Sequence, residues 1–240
     1  MFGLLGTAVN VVTVLIGSGI GIIFNKKIPK RLTDSLFKVL GLATIFIGVS
    51  GCLCGHSAIL IIVSLILGTL IGELLNLDKR INTMGSFLEK KFDKNNPESK
   101  LAQGFVSASI LFCIGSMTIV GCLNAGLKGD LSVLFAKSAL DLCSSMIFAS
   151  TMGVGVMFAA GFVLVYQGLL TVLAVVISPY LSALVIDEMS CVGYIVIIGL
   201  GITMISSVKL KLTNMVPSMF MPIALVPLGA WIVELLPFLK

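Results

Sequence analysis

The sequence is poor in charge and in the residue types that most catalytic and metal sites require. Only 11% of its 240 residues are charged, whereas soluble domains have about 25%. It has a single histidine, His56, which excludes catalytic or metal schemes that need two. No phosphate-binding loop, nucleophile elbow, paired-histidine zinc motif or dinucleotide fingerprint occurs. We therefore expect no enzymatic activity, no cofactor and no metal site.

Hydrophobic residues, in contrast, make up 58% of the chain, and its mean hydropathy is +1.14. A soluble domain of this size keeps too much of its surface wet to bury them, but a lipid bilayer provides apolar surroundings for spans of about 20 residues. Backbone polar groups inside a bilayer must bond within helices or closed barrels. The apolar runs are continuous and do not alternate as barrel strands do. The sequence therefore predicts an all-α, polytopic transmembrane helical bundle of seven or eight spans.

Eight apolar segments are long enough to be candidate spans. The fifth contains two charged residues, so a seven-span version would omit it. The eighth contains three prolines, which predict a kinked or broken helix. The candidates lie at about 2–24, 36–54, 57–75, 103–122, 131–149, 154–177, 190–207 and 215–236.

The positions of the basic residues orient these spans. All Lys and Arg residues other than Lys128, Lys137 and Lys240 lie near 25–38, in 76–102 or at 209–211. In the eight-span arrangement these three segments share one side, which positive-inside bias assigns to the cytoplasm, and both termini lie outside. Omitting the fifth span would divide the basic segments between two sides. Because the net charge of +5 lies in these loops, it does not predict a nucleic-acid partner.

The polar segment 76–102 divides the chain. Part of it has the periodicity of an amphipathic helix on the inner surface, and we place the boundary between an amino-terminal half (1–94) and a carboxy-terminal half (95–240) there. Glycine-rich span ends at 17–21, 68–72 and 199–203 resemble one another. Either close helix packing or duplication of a helical hairpin, as in transporters built from repeats, would produce this pattern.

Lys137 and Asp141 are the most informative polar residues. They are four positions apart and therefore share one helical face, and Asp141 lies about 15 Å into its span by helical rise, near the midplane. Each such charge costs about 2.5–3.5 kcal/mol on insertion scales, so intramembrane charges are functional-site candidates by default. The alternative is an internal ion pair that only locks the bundle.

Other polar side chains fall at similar depth in different spans. Asn10 and Gln167 carry amides that need several hydrogen-bond partners, whereas serine hydroxyls often bond only to their own helix. The candidate substrate- or ion-binding residues are Asn10, Ser109, Ser116, Lys137, Asp141 and Gln167.

Two further groups are weaker candidates. A metal cluster is one interpretation of Cys52, Cys54 and His56. A structural zinc site needs four ligands, however, and we do not predict a metal site here. Asp187 and Glu188 follow a Ser-Pro pair, and we expect them to be solvated on an outer loop. Glycine faces, including Gly17/Gly21, Gly68/Gly72, Gly115 and Gly153/Gly155, predict a homo-oligomer, specifically a dimer, although they would serve packing within one chain equally well.

Several blocks of the sequence together form a recognisable pattern. They are Gly6–Asn10 with Gly17–Ser18, Leu67–Glu73, Phe105–Gly115, parts of Ala136–Ser150, Tyr166–Gly168, and Asn214 with Pro217. With these blocks the chain resembles an uncharacterised bacterial membrane family, domain of unknown function 554. The resemblance covers nearly the whole chain and implies a multi-pass protein of the bacterial cytoplasmic membrane, without implying a substrate.

The polar residues at midplane depth favour a secondary transporter or channel for a small polar solute or ion. The alternative is a membrane scaffold or regulatory partner that docks a cytosolic protein on 76–102. The expected partners are the lipid bilayer, the solute or ion, and a second copy of the chain.

Overall fold

A computed structural model describes residues 3–24, 29–80, 83, 100–113 and 116–235, and these residues contain helices but no strand. Most of the predicted amphipathic segment and the boundary between the two halves lie outside them. The helices are α1 (Gly3–Phe24), α2 (Lys30–Cys52), α3 (Ala58–Leu74), α4 (Lys100–Cys113), α5 (Ser116–Leu127), α6 (Ser132–Met152), α7 (Gly155–Ile177), α8 (Ala183–Ile205), α9 (Leu212–Met215) and α10 (Met221–Leu235).

The predicted all-α bundle of seven or eight spans is confirmed. Within the described ranges, seven helical segments are long and apolar enough to cross a membrane, and α4 with α5 makes an eighth if that bent pair is one span. The fifth candidate span is the 21-residue helix α6, so the version that omits it is wrong. Its two charged residues, Lys137 and Asp141, do not interrupt the helix, because their side chains are buried within the protein.

The seventh span begins earlier than predicted. Helix α8 starts at Ala183, where the Ser182 hydroxyl accepts a hydrogen bond from the Val185 N–H at 3.3 Å and caps the helix. Asp187 and Glu188 therefore lie in the first turns of a helix, and the predicted loop is wrong for both. The predicted solvation is wrong for Glu188 only, because the Asp187 side chain is 30% exposed. Glu188 is fully buried. Two adjacent carboxylates predict a solvated loop, because hydropathy does not show whether a carboxylate has hydrogen-bond partners inside the fold.

The predicted fourth span consists of two helices, α4 and α5, where the sequence predicts a single one. Helices α4 and α5 are bent by 51° relative to each other, and the Thr118 hydroxyl donates a hydrogen bond to the Phe112 carbonyl at 3.1 Å across the break. The adjacent pair Gly115–Ser116 is a signal that predicts such a kink. The predicted irregularity of the eighth span is confirmed, since a 3₁₀ segment, Val216–Phe220, separates α9 from α10 and includes Pro217.

Glycines allow the helices to approach closely within the chain. A side chain at Gly17 would overlap Ser145 and the Leu142 carbonyl of α6, and one at Gly72 would overlap the Asn214 carbonyl of α9. These glycine faces thus pack inside one chain, and they no longer argue for a dimer. The homo-oligomer and the hairpin duplication stay predictions.

Ion pairs near the helix ends are consistent with an eight-span path, in which successive connections lie on alternate sides of the membrane. At one end, Lys128, which follows α5, pairs with Asp187 of α8 at 2.8 Å, and His56, which precedes α3, pairs with the same carboxylate at 3.2 Å. At the other end, Glu73 of α3 pairs with Lys211 at 3.0 Å, just before α9. The eight-span path assigns the first three residues to the outer side and the last two to the inner side.

Candidate functional site within the membrane

The charged pair of α6 contacts α1 directly. The Asn10 side-chain amide donates a hydrogen bond to Oδ2 of Asp141 at 2.9 Å, and the Lys137 ammonium donates to the same oxygen. Asn10 is fully buried, and the Lys137 and Asp141 side chains are only 4% and 9% exposed. Two helices that are distant in sequence thus share one polar contact in the interior of the protein.

The helical repeat and the small residues of α1 create this contact. Lys137, Asp141 and Ser145 follow one another at intervals of four and are all buried along one face of α6. Gly17 removes the side chain that would hold α1 away from Ser145. Because the backbones approach closely there, Asn10, two turns earlier on α1, lies at the level of Asp141.

Because the Lys137–Asp141 pair is buried, its net contribution to stability depends on its geometry and its hydrogen bonds. A buried ion pair repays the cost of desolvation only when its geometry is good and further hydrogen bonds satisfy it, and Asn10 supplies one such bond. Both donors bind Oδ2, whereas no hydrogen bond to Oδ1 is present among the described residues. The carboxylate therefore retains acceptor capacity, and its side chain is 9% exposed.

The break in the fourth span lies beside the pair. Cys113 is the last residue of α4, is buried, and is close enough to Lys137 and Asp141 to interact electrostatically with both. Transporters often build substrate sites at such discontinuous helices, near the midplane. Interrupted helical backbone is tolerated at membrane depth where it is buried in protein or lines a cavity.

Further polar atoms of α1, α4 and α7 are buried without a hydrogen-bond partner in the described part of the chain. Among the residues that the structure describes, the side-chain oxygen and nitrogen of Gln167 and the hydroxyls of Thr7, Ser18 and Ser109 are buried and make no hydrogen bond. Buried polar groups normally have a partner in protein or ordered water. These atoms therefore offer binding positions for water or for a polar ligand.

The predicted site residues meet only in part. Asn10, Lys137 and Asp141 form one hydrogen-bonded group. Ser109 and Gln167 are buried but have no hydrogen bond to that group, and the side chain of Ser116 lies outside the described part of the chain.

Three residues of this region were not predicted as site residues. Thr7 lies three positions before Asn10, Thr171 lies four positions after Gln167, and both are buried. Cys113 interacts electrostatically with the charged pair. Helical spacing from the predicted amides is the signal that identifies Thr7 and Thr171, whereas the position of Cys113 depends on the unpredicted break.

A second polar cluster lies at the end of the bundle that the eight-span path assigns to the outer side. The buried Glu188 carboxylate accepts hydrogen bonds from the backbone N–H groups of His56 at 2.9 Å and Ser57 at 2.8 Å, at the beginning of α3. Burial lowers the pKa of Lys128, but hydrogen bonds and electrostatic interactions with Asp187 and Cys54 together outweigh it and raise that pKa above its usual value. No group of three or more potential metal ligands is present in the described ranges, and His56 contacts Asp187 instead.

A protein-family profile described as "Protein of unknown function (DUF554)" matches residues 5–227. The chain belongs to the DUF554 family. The matched range contains all six predicted site residues of this DUF554 protein.

Two bacterial relatives align over nearly their whole lengths. The "Uncharacterized membrane protein YdfK" of Bacillus subtilis (strain 168) is 36% identical over 222 residues, which cover 90% of this DUF554 protein and 93% of the relative. The "Uncharacterized protein YqgA" of Escherichia coli (strain K12) is 29% identical over 225 residues, covering 92% and 95%. No solved structure gives a significant match. The resemblance found in the sequence is thus confirmed, and the protein is a membrane protein.

Proposed function

We propose that this DUF554 protein is a secondary transporter or channel of the bacterial cytoplasmic membrane, for a small polar solute or ion. The observation that carries the proposal is the buried group of Asn10, Lys137 and Asp141 beside the broken fourth span. A structural bundle gains little from charges at this depth, because replacing a buried pair by apolar residues is often neutral or stabilising.

Asp141 is the proposed ion-binding group. In the present arrangement Lys137 neutralises it. A proton or small cation that binds Asp141 would replace Lys137 as the source of positive charge, and the Lys137 side chain would then move away. Exchange between an internal and a transported cation keeps the Asp141 carboxylate compensated in both states, which avoids the cost of leaving it as an isolated charge.

The unpartnered polar side chains supply the rest of the proposed site. Gln167 has both a donor and an acceptor available, so it suits a neutral polar group of a solute or a hydrating water. Thr7 and Ser18 lie on α1, one turn before and two turns after Asn10. Their positions support a hydrated path along α1 that passes Asp141.

A non-transporting scaffold is the second candidate, and one observation favours it. The Lys137–Asp141 pair is hydrogen-bonded and mostly buried, as a purely structural pair would be. A scaffold requires only that the helices pack, whereas a transporter requires the charges themselves. The two candidates therefore differ in what happens when both charges are removed together.

The test is solute and ion flux in proteoliposomes containing the wild type or the double variant Lys137→Gln/Asp141→Asn. The double variant avoids leaving one buried charge unpaired. The matched control is Glu73→Gln/Lys211→Gln, which removes an exposed ion pair at one end of the bundle. We expect flux of at least one ion or solute to fall in the first variant only. A folded double variant that supports wild-type flux, or a wild type without flux above empty liposomes, would favour the scaffold.

A further inference from the structure

A separate cavity of about 250 Å³ lies near the outer ends of α2 and α6, beside the middle of α8. Its walls combine an apolar side with hydroxyl groups and one carboxylate. The lining residues are Phe46, Ile47, Ser50, Gly51, Asp130, Ser132 and Tyr194. None of them belongs to the group around Asp141.

Asp130 is the charged group of this cavity. Its Oδ1 accepts a hydrogen bond from the Ser132 backbone N–H at 2.9 Å, and its Oδ2 accepts one from the Tyr194 hydroxyl. Burial alone would raise the pKa of Asp130, but these hydrogen bonds, together with electrostatic attraction to Lys128, outweigh it and hold that pKa below its usual value. The carboxylate is therefore ionised at neutral pH.

Asp130 also lacks a cation of its own within the described ranges. The ammonium group of nearby Lys128 pairs with Asp187 at 2.8 Å, and no Lys, Arg or His nitrogen there lies within ion-pair distance of Asp130. The carboxylates of Glu73, Asp141 and Asp187 each have such a partner. Lys128 acts on Asp130 through space but forms no ion pair with it. A partly buried carboxylate that faces a cavity without a directly paired counter-charge favours a cationic ligand.

The shape and chemistry of the cavity walls favour an organic cation over a metal ion. Calcium takes six to eight oxygen ligands, whereas this cavity offers one carboxylate and a few hydroxyls, and its volume is many times that of a bare ion. Phe46 and Ile47 provide an apolar wall, and Phe46, which is 72% exposed, presents an aromatic ring. Such a ring attracts organic cations.

The walls of the cavity are held in place by packing. A side chain at Gly51 would overlap the Tyr194 ring, so glycine there lets α2 lie directly against that ring. Tyr194 is only 3% exposed and its hydroxyl is held by Asp130. The carboxylate is thus fixed from two sides, and a ligand would not have to order it.

From these contacts we infer that this cavity binds an organic ammonium group, with Asp130 as its counter-charge and Phe46 and Ile47 against its carbon atoms. The cavity lies at the outer end of membrane helices. The ammonium group has two possible sources, the headgroup of an aminophospholipid such as phosphatidylethanolamine or a free small amine in the outer medium.

The binding test uses the full-length protein in detergent, freed of lipid. Native mass spectrometry measures retention of added phosphatidylethanolamine against phosphatidylglycerol. Calorimetry measures free ethanolamine against ethylene glycol, which is similar in size and has no charge. Retention of the lipid alone identifies the headgroup as the source, and binding of ethanolamine identifies the free amine. Binding of neither ammonium probe, or equal binding of its uncharged or anionic counterpart, overturns the inference.

Two variants test the assignment to this cavity. Asp130→Asn removes the charge and keeps an oxygen for the Ser132 N–H, and Ser50→Leu fills the cavity without touching the carboxylate. Each should weaken binding at least tenfold. The control Asp34→Asn removes an exposed carboxylate near the beginning of α2 and should bind like the wild type. Wild-type affinity in Ser50→Leu or Asp130→Asn would overturn the inference, and Ser50→Leu decides it if Asp130→Asn does not fold. None of these outcomes depends on whether the protein transports.

Discussion

Asn10 and Asp141 are 131 positions apart, and the Asn10 amide donates a hydrogen bond of 2.9 Å to the Asp141 carboxylate in the interior of the bundle. Lys137 donates to the same oxygen from one turn away on α6. This relationship joins the first and sixth helices through a charged group, so stability and the proposed activity both depend on it. The two roles can be separated by comparing single and double substitutions.

The single variant Asp141→Asn should be much less stable than the double variant Lys137→Gln/Asp141→Asn. Removing one partner leaves the other as an uncompensated buried charge, which costs about 3–5 kcal/mol, whereas removing both can be nearly neutral. Thermal unfolding in one detergent measures the difference. Equal loss of stability in the two variants would mean that the Lys137 charge is stabilised by other groups.

Gly72→Ala should destabilise the protein, while Gly161→Ala should not. A methyl group at Gly72 would overlap the Asn214 backbone carbonyl, whereas nothing lies within 4 Å of the corresponding position at Gly161. Overpacking at a backbone contact typically costs about 1–3 kcal/mol. The measurement is the midpoint of thermal unfolding of each variant. An unchanged midpoint for Gly72→Ala would contradict the close packing of α3 on α9.

Glu188→Ala should loosen the beginning of α3. The Glu188 carboxylate accepts hydrogen bonds from the His56 and Ser57 N–H groups, and these donors would be left without it. Losing a buried hydrogen-bonded partner costs about 1–3 kcal/mol. Hydrogen exchange should therefore speed up over 56–61. Glu73→Ala removes a partly exposed carboxylate of the same helix and is the control, which should leave exchange in that segment unchanged.

Gln167→Leu should reduce flux without reducing stability. Both polar atoms of the Gln167 side chain are buried without a protein partner, so an apolar residue of similar size removes no hydrogen bond between described residues. Thermal unfolding and proteoliposome flux are measured together. Gly168→Ala alters the neighbouring position, which is open on the helix surface, and should leave both unchanged. A large loss of stability in Gln167→Leu would indicate a structural role instead.

Reporter fusions after residues 30, 90 and 210 should all report the cytoplasm, and a fusion after residue 129 should report the outer side. The expectation follows from the basic loops and positive-inside bias. Alkaline phosphatase and fluorescent-protein activities measure the two sides. A fusion after residue 90 that reports the outer side would contradict the eight-span orientation.

The sequence by itself determined the class of protein and the candidate spans. Continuous apolar runs are incompatible with a soluble core, and spans must form helices because lipid offers no hydrogen bonds to the backbone. A spacing of four also determined that Lys137 and Asp141 share one face, since both lie on a single helix. These conclusions depend on local geometry and on the solvent.

The tertiary structure decided which distant groups meet. Hydropathy does not distinguish an apolar face that packs on protein from one that faces lipid. It therefore does not predict which helices pack against α1 and α8. Consequently the contact of Asn10 with Asp141, the burial of Glu188 and the cavity beside Asp130 were not predictable. They depend on the relative position of whole helices, which is set by close approach at residues such as Gly17 and Gly51.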